Sequence, residues 1–201
     1  MIDVRAATTA EMILAFLQGE IDSLAWLDRY TKALALIRAD RAQLIDRGDP
    51  TDLQQNADRR RVLGAVRGYG HDEFLFKGFP VDTDWRLVTV TPAEVTRFKY
   101  INQDIWTRLS GTRLVANGVR NLNQVQIKEI KDIGDKVAGI VTDLRQGVEF
   151  QPLIAVQRAG PVEVVLMDGH HRATAYALTG LPTQIEVYIG TSANMDRWHW
   201  V

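Results

Sequence analysis

The chain has 201 residues, 46% hydrophobic and 24% charged, which suits one folded domain or one domain with a helical extension. Its formal net charge of −1 supplies no overall pull toward nucleic acid or an anionic membrane. With no cysteine, disulfides, thiolate metal sites and cysteine nucleophiles are excluded, and a reducing cytoplasm is the compatible setting.

The opening Met1-Ile2-Asp3-Val4-Arg5 lacks the basic-then-apolar layout of a signal peptide, and no apolar run approaches the roughly 18 residues of a membrane span. A soluble, cytoplasmic protein is expected. Thr8-Thr9-Ala10-Glu11 reads as a capping box before a helix over 8–18. A longer helix is predicted from Ser23 to Arg47, with Leu24, Leu27, Tyr30, Leu34, Ile37 and Leu44 as its apolar stripe, stopped by Gly48-Asp49-Pro50. A third runs from Thr51 or Asp52 to Val66, and its Arg59-Arg60-Arg61 reads as a solvated face in preference to a nucleic-acid patch. Residues 1–82 are thus expected to be a helical module and loop, and 83–201 a second, catalytic domain.

Arg67-Gly68-Tyr69-Gly70-His71 reads either as a lid or substrate loop carrying Arg67 and His71, or as a linker pinned by aromatics. Trp85 to Val90 alternates and is β-branched, so it is predicted as the first strand. Pro92 starts a short helical turn, and a helix follows over Tyr100 to Leu109. Ser110-Gly111-Thr112-Arg113 is a polar turn, in which Arg113 either contacts an anionic substrate or is simply part of the turn. Another helix spans Lys128 to Arg145 with a stripe of Ile130, Ile133, Val137, Ile140, Val141 and Leu144. Strands are predicted over Phe150 to Val156, with a turn at Ala159-Gly160-Pro161, then over Val164 onward and over Thr183 to Ile189. The tail, with Trp198, His199 and Trp200, either docks on the core or completes a pocket. The order of elements argues for an α+β fold with a small mixed sheet.

The stretch with the most chemistry is Val164 to Leu178, an apolar strand that runs through Asp168-Gly169-His170-His171-Arg172 into an alanine-rich helix. A strand feeding a helix through glycine exposes free N–H groups at the positive end of the helix dipole, which favours phosphate. Gly169 lets backbone approach the anion, while His170, His171 and Arg172 can donate to it. Glu129 and Asp168 are candidates for a converging carboxylate pair, one as base and the other orienting the acceptor or holding Mg²⁺. Zinc is not expected, because adjacent histidines diverge and neither His71 nor His199 stands at helical ligand spacing.

A helix, then Gln-Pro before an apolar strand, then a return strand and Asp-Gly-His-His-Arg at a helix start resembles the ParB/sulfiredoxin superfamily over Trp85 to Ile189, about half the chain. The resemblance implies a small mixed sheet with helices, here preceded by the helical module. Sulfiredoxins need a cysteine in this turn, which is lacking. The chromosome-partitioning ParB branch adds a DNA-reading domain, for which the 29 residues after Arg172 (201 − 172) leave no room. The motif is most similar to that of free serine kinases, which carry a catalytic glutamate upstream. Glu129 stands 23 positions before Pro152 (152 − 129), and Pro152 stands 16 before Asp168 (168 − 152), matching that pattern.

The resemblance therefore implies phosphoryl transfer from ATP or ADP, with Mg²⁺, to a hydroxyl. Glu129 and Asp168 would be catalytic, Gly169 to Arg172 would bind phosphate, and Arg113, Arg67 and His71 are candidates for substrate contact. The segment before Glu129 is longer than in the serine kinases, and their C-terminal substrate domain is lacking. The acceptor is accordingly left as an amino acid or related metabolite. The alternative is a ParB-like protein that binds and hydrolyses CTP or associates with DNA. Expected partners are a nucleotide and a small substrate, with homodimerisation open and neither nucleic acid nor membrane favoured.

Overall fold

The computed structural model describes residues 1–122, 124, 128–158 and 163–201. Ile2–Ala7 forms strand β1, Thr9–Glu20 helix α1, Leu27–Leu36 helix α2 and Leu53–Arg67 helix α3. After a 3₁₀ turn at Phe74–Phe76 come β2 (Asp84–Val90), α4 (Pro92–Val95), α5 (Asp104–Ser110) and α6 (Val115–Asn121). The chain ends with α7 (Lys128–Arg145), β3 (Leu153–Gln157), β4 (Val164–Asp168), α8 (His170–Thr179), β5 (Ile185–Thr191) and a 3₁₀ turn at Met195–Arg197. The expected α+β class with a mixed sheet is what forms. Its strand order is β1-β2-β5-β3-β4, with β3 and β5 parallel and the other pairs antiparallel.

Several elements match their sequence signals. The Thr8 capping box is made in both directions, and Asp52 caps α3 through the N–H groups of Gln54 and Gln55. Ile130, Ile133, Val137 and Val141 of α7 are buried, as their spacing predicts. The tail docks: Trp198 is buried and its Nε1 donates to the Leu75 carbonyl at 2.7 Å.

Other expectations are corrected. Trp85 to Val90 is not the first strand, because β1 precedes it and pairs antiparallel with it. β1 lies at the sheet edge with Ile2 and Val4 exposed, so no buried face marked it. The long helix over Ser23 to Arg47 breaks after Leu36, where Arg38 takes a left-handed φ of 53°, and resumes as one π-helical turn at Ala42–Asp46. Leu24 of its supposed stripe is exposed. Helix α5 starts at Asp104 instead of Tyr100, since Lys99 bridges to Val165 and Leu114 and holds that stretch extended. Arg59 is no surface residue but fully buried, with Arg60 and Arg61 exposed beside it. The turn at Ala159-Gly160-Pro161 lies outside the described residues.

Helices α1, α2 and α3 pack together, while α4, α6 and α7 pack around α8. Phe16, Tyr30 and Leu63 from the first group share one apolar core with Leu87, Val165 and Val187 of the sheet. The expected boundary at residue 82 therefore divides parts that share a sheet and a core. The last residues of α1 and the turn from β4 to α8 meet at one end of that core, and there the site lies.

Candidate functional site

Strand β4 buries Val164 to Met167 and ends on the partly exposed Asp168. Gly169 then turns the chain at φ 85° and serves as N-cap of α8 with no side chain covering the first-turn N–H groups. A Cβ at Gly169 would stand 2.5 Å from Leu153 Cδ2, in the strand next door. Both the left-handed φ and the contact select glycine. Gly169→Ala is expected to destabilise the protein by about 2 kcal/mol in urea unfolding. Unchanged stability would mean the turn relaxes without consequence.

Arg172 does not point into an open anion site. Its guanidinium donates to the Gln151 carbonyl, reaches the Pro152 carbonyl at 3.4 Å, and pairs with Asp168 Oδ2 at 2.6 Å. The side chain is only 9% exposed. Its spacing from Asp168, one helical turn, makes the pair local, and the two carbonyls tie the segment entering β3 to the end of β4. With its guanidinium engaged by protein acceptors, Arg172 is a strut under the turn. Oδ1 of Asp168 has no hydrogen-bond partner among the described residues.

His170 and His171 flank the Trp106 indole. His170 stacks on it at 5.0 Å between centroids, and Tyr100 stacks on the same indole at 4.6 Å. His171 meets it edge-on at 5.2 Å. Burial, with the charges of His171, Arg67 and Arg172, pushes His170 down to about 3. Burial, with Lys136 and Arg172, pushes His171 down to about 4. Both are neutral at pH 7, so they offer a polar N–H and not a cation. His170 Nε2 is enclosed and has no hydrogen-bond partner among the described residues.

The second carboxylate beside the turn is Glu20, which sequence reasoning missed. A Cβ on its neighbour Gly19 would sit 3.3 Å from Asp168 Oδ2 and 3.0 Å from Arg172 Nη2, so α1 abuts the pair directly. Glu20 is buried, accepts from the Tyr30 hydroxyl at 2.5 Å, and lies 3.4 Å from Arg67 Nε. Arg67 is stacked on Trp26, its guanidinium carbon 4.1 Å from the ring centroid. Its Nε is buried without a well-formed hydrogen bond. Two carboxylates, two guanidiniums and a phenol thus form one cluster at the mouth of α8. No local pattern marks Glu20, because its partners come from other helices.

Burial is the largest influence on Glu20; Arg67 opposes it and Asp168 adds to it, leaving the carboxyl pushed up to about 7. The folded protein then keeps a proton that the unfolded chain releases near 4.5. Native protein binds more protons than unfolded protein between those values, so this group's contribution to stability falls as pH rises from 4.5 to 7 and is flat above. In Glu20→Gln that slope disappears. The variant's stability relative to the parent is expected to improve by on the order of 3 kcal/mol between about pH 4.5 and 8. Urea melts across that range measure it, and a pH-independent difference would contradict it.

The remaining expected residues are dispersed. Glu129 is exposed in the first turn of α7 and makes no hydrogen bond or ion pair among the described residues. Arg113 clasps the tail, donating from Nε to the Tyr100 carbonyl at 2.9 Å and from Nη2 to the Trp200 carbonyl at 3.3 Å. It sits at a left-handed φ of 67°, which favours the plain-turn reading of its segment. His71 packs on α3, where its ring would be 3.0 Å from a Cβ at Gly64. Of the three substrate candidates only Arg67 reaches the cluster.

A cavity of about 450 Å³ opens beside the Arg172 strut, lined by Gln151, Pro152, Tyr176, Ile185 and Glu186 among others. Among the described residues no three metal-ligating side chains gather. Mg²⁺ needs no such cage, since one or two carboxylates and substrate phosphates ordinarily hold it. Asp168, whose Oδ1 accepts no hydrogen bond among the described residues, is the carboxylate at the turn that fits that demand. No protein-family model matches this chain, and neither a curated protein nor a solved structure matches it.

Proposed function

We propose that this protein is a phosphotransferase that moves a phosphoryl group from ATP or ADP to a hydroxyl of an amino acid or related metabolite. One observation carries the reading: the Asp168 carboxylate stands at the uncapped N-terminus of α8, in a cluster with Glu20, the carboxylate that Arg67 pairs with. Free N–H groups and the helix dipole favour phosphate there, and a carboxylate within reach can accept a hydroxyl proton. The likeness of the motif to that of free serine kinases supports the same chemistry.

In the proposed step the acceptor oxygen forms a bond to the terminal phosphorus. The bond from that phosphorus to the bridging oxygen breaks, the nucleotide leaves with the electron pair, and the hydroxyl proton passes to Asp168. The α8 N–H groups and Arg67 stabilise charge on the transferring oxygens. Arg172 fixes Asp168 from behind, and Glu20, with its proton held to about pH 7, limits the negative charge beside it. Mg²⁺ would neutralise nucleotide phosphate charge, with Asp168 as the carboxylate at the turn to hold it and Glu129, exposed at the start of α7, as the further candidate the motif implies. The neutral His170 and His171 pack the start of α8 against Trp106.

Calorimetric titration with ATP, ADP and CTP, each with Mg²⁺, tests the donor half of this reading. ATP or ADP is expected to bind and to bind less well to Arg67→Ala. Preference for CTP, with slow hydrolysis and no acceptor, would favour the ParB-like alternative and overturn the kinase.

A further inference from the structure

A second cavity, of about 550 Å³, lies away from the Asp168 turn. Thr9, the first residue of α1, lines it, whereas Gly19 and Glu20 at the far end of α1 meet Asp168. Ten to eleven helical steps, from Thr9 to Gly19 and Glu20, separate the two places by about 16 Å. The cavity's floor is aromatic. Phe76 meets Tyr69 and Phe79 edge-on at 4.9 and 5.4 Å, and Phe79 stacks on Trp85 at 6.3 Å. Its rim carries one exposed group of each sign, Asp72 and Arg197.

The rim is built, not incidental. Asp72 and Phe74 both hold left-handed φ values, 55° and 47°, and a bulky residue such as phenylalanine adopts that region only under constraint. The constraint comes from the tail. Trp198 and Trp200 donate from their indoles to the carbonyls of Leu75 and Phe74, and the His199 N–H donates to Lys77 at 3.0 Å. The same docking sets Arg197 at the rim. Asp72 Oδ1 accepts from the Gly78 N–H at 2.5 Å, which aligns the carboxylate and leaves Oδ2 without a partner among the described residues. Arg197 has no ion pair among them either, although it lies close enough to Asp82 to favour that carboxylate's charged form.

We propose that this cavity binds a free amino acid with an aromatic or branched apolar side chain. The side chain lies on the floor of Phe76, Phe79 and Trp85, the α-carboxylate meets Arg197 and the α-ammonium meets Asp72. An apolar pocket of this size with two polar groups of opposite sign on its rim suits a zwitterion carrying an apolar body. The ligand is not the acceptor of the proposed transfer, because the two places lie at opposite ends of α1.

Titration calorimetry of the whole chain with L-phenylalanine, phenethylamine and 3-phenylpropionate tests the inference. L-phenylalanine is expected to bind at least about tenfold more tightly than either single-charge analogue. Arg197→Gln should bring L-phenylalanine down to the affinity of phenethylamine, and Asp72→Asn down to that of 3-phenylpropionate. Both variants should keep the parent's circular dichroism, and Asp168→Asn should bind L-phenylalanine as the parent does. Absence of binding at millimolar L-phenylalanine, equal binding of the three probes, or indifference to both rim variants would overturn the proposal. None of those outcomes bears on phosphoryl transfer.

Discussion

Arg59→Ala is expected to lower the free energy of unfolding by about 3 kcal/mol, while Arg60→Ala and Arg61→Ala should each change it by about 0.5 kcal/mol or less. The three arginines are consecutive, yet only Arg59 is inaccessible to solvent. Its guanidinium donates to the Leu44 carbonyl at 2.8 Å, the Asp49 carbonyl at 2.6 Å, Gln55 Oε1 at 3.0 Å and Asn56 Oδ1 at 2.5 Å. Those acceptors close the π-helical turn and the entry to α3. Alanine leaves two carbonyls and two amides facing an empty volume, and each loses a charge-assisted bond. Gly48 belongs to the same arrangement, because a Cβ there would stand 2.6 Å from Arg59 Nη1. Arg59→Lys should recover only part of the loss, since an ammonium cannot span the fork. Urea unfolding of the three alanine variants measures this, and equal stabilities would contradict the buried role.

If the protein is the proposed phosphotransferase, Asp168→Asn is expected to lower phosphoryl transfer by about 10²- to 10⁴-fold, the range that removal of a positioned base produces. Asparagine keeps an acceptor for Arg172 Nη2, so the fold is expected to survive and the loss to fall on kcat. Arg172→Ala differs in kind. It strips the Gln151 and Pro152 carbonyls of a donor and leaves Asp168 unpaired, so it costs stability as well as activity. Glu129→Gln should weaken dependence on Mg²⁺ concentration more than it weakens nucleotide binding. Steady-state kinetics beside thermal melts separates these outcomes. Full activity in Asp168→Asn would remove Asp168 from the chemistry.

Much of this architecture was legible because it is local. The strand into Asp168, the Gly169 turn, α8, and α7 with its buried stripe all announce themselves through alternation, glycine or a period of 3.6 residues. β1 escaped because its side chains face solvent, and alternation without a buried face carries no distinct signal. The break after Leu36 escaped because Arg38 takes a left-handed φ that no sequence rule assigns to arginine.

The site was legible in part for the same reason. Asp168 and Gly169 stand where the motif put them, but Arg172 turned inward, its carbonyl partners being set by how β3 lies against β4. Glu20 could not be singled out, since it looks like any glutamate at a helix end until Tyr30 and Arg67 arrive from α2 and α3. Arg67 entered as a loop candidate and matters as the last residue of α3. The histidines kept their place, but with pKa values pushed down by burial they are neutral partners and not cations.

The most direct test of the kinase reading is phosphorus NMR of the whole protein with ATP or ADP, Mg²⁺ and a panel of hydroxyl-bearing amino acids and related metabolites. A new phosphomonoester resonance is expected to grow with one acceptor class, at a rate that collapses in Asp168→Asn. No phosphomonoester with any acceptor, or the same rate in that variant, would contradict it.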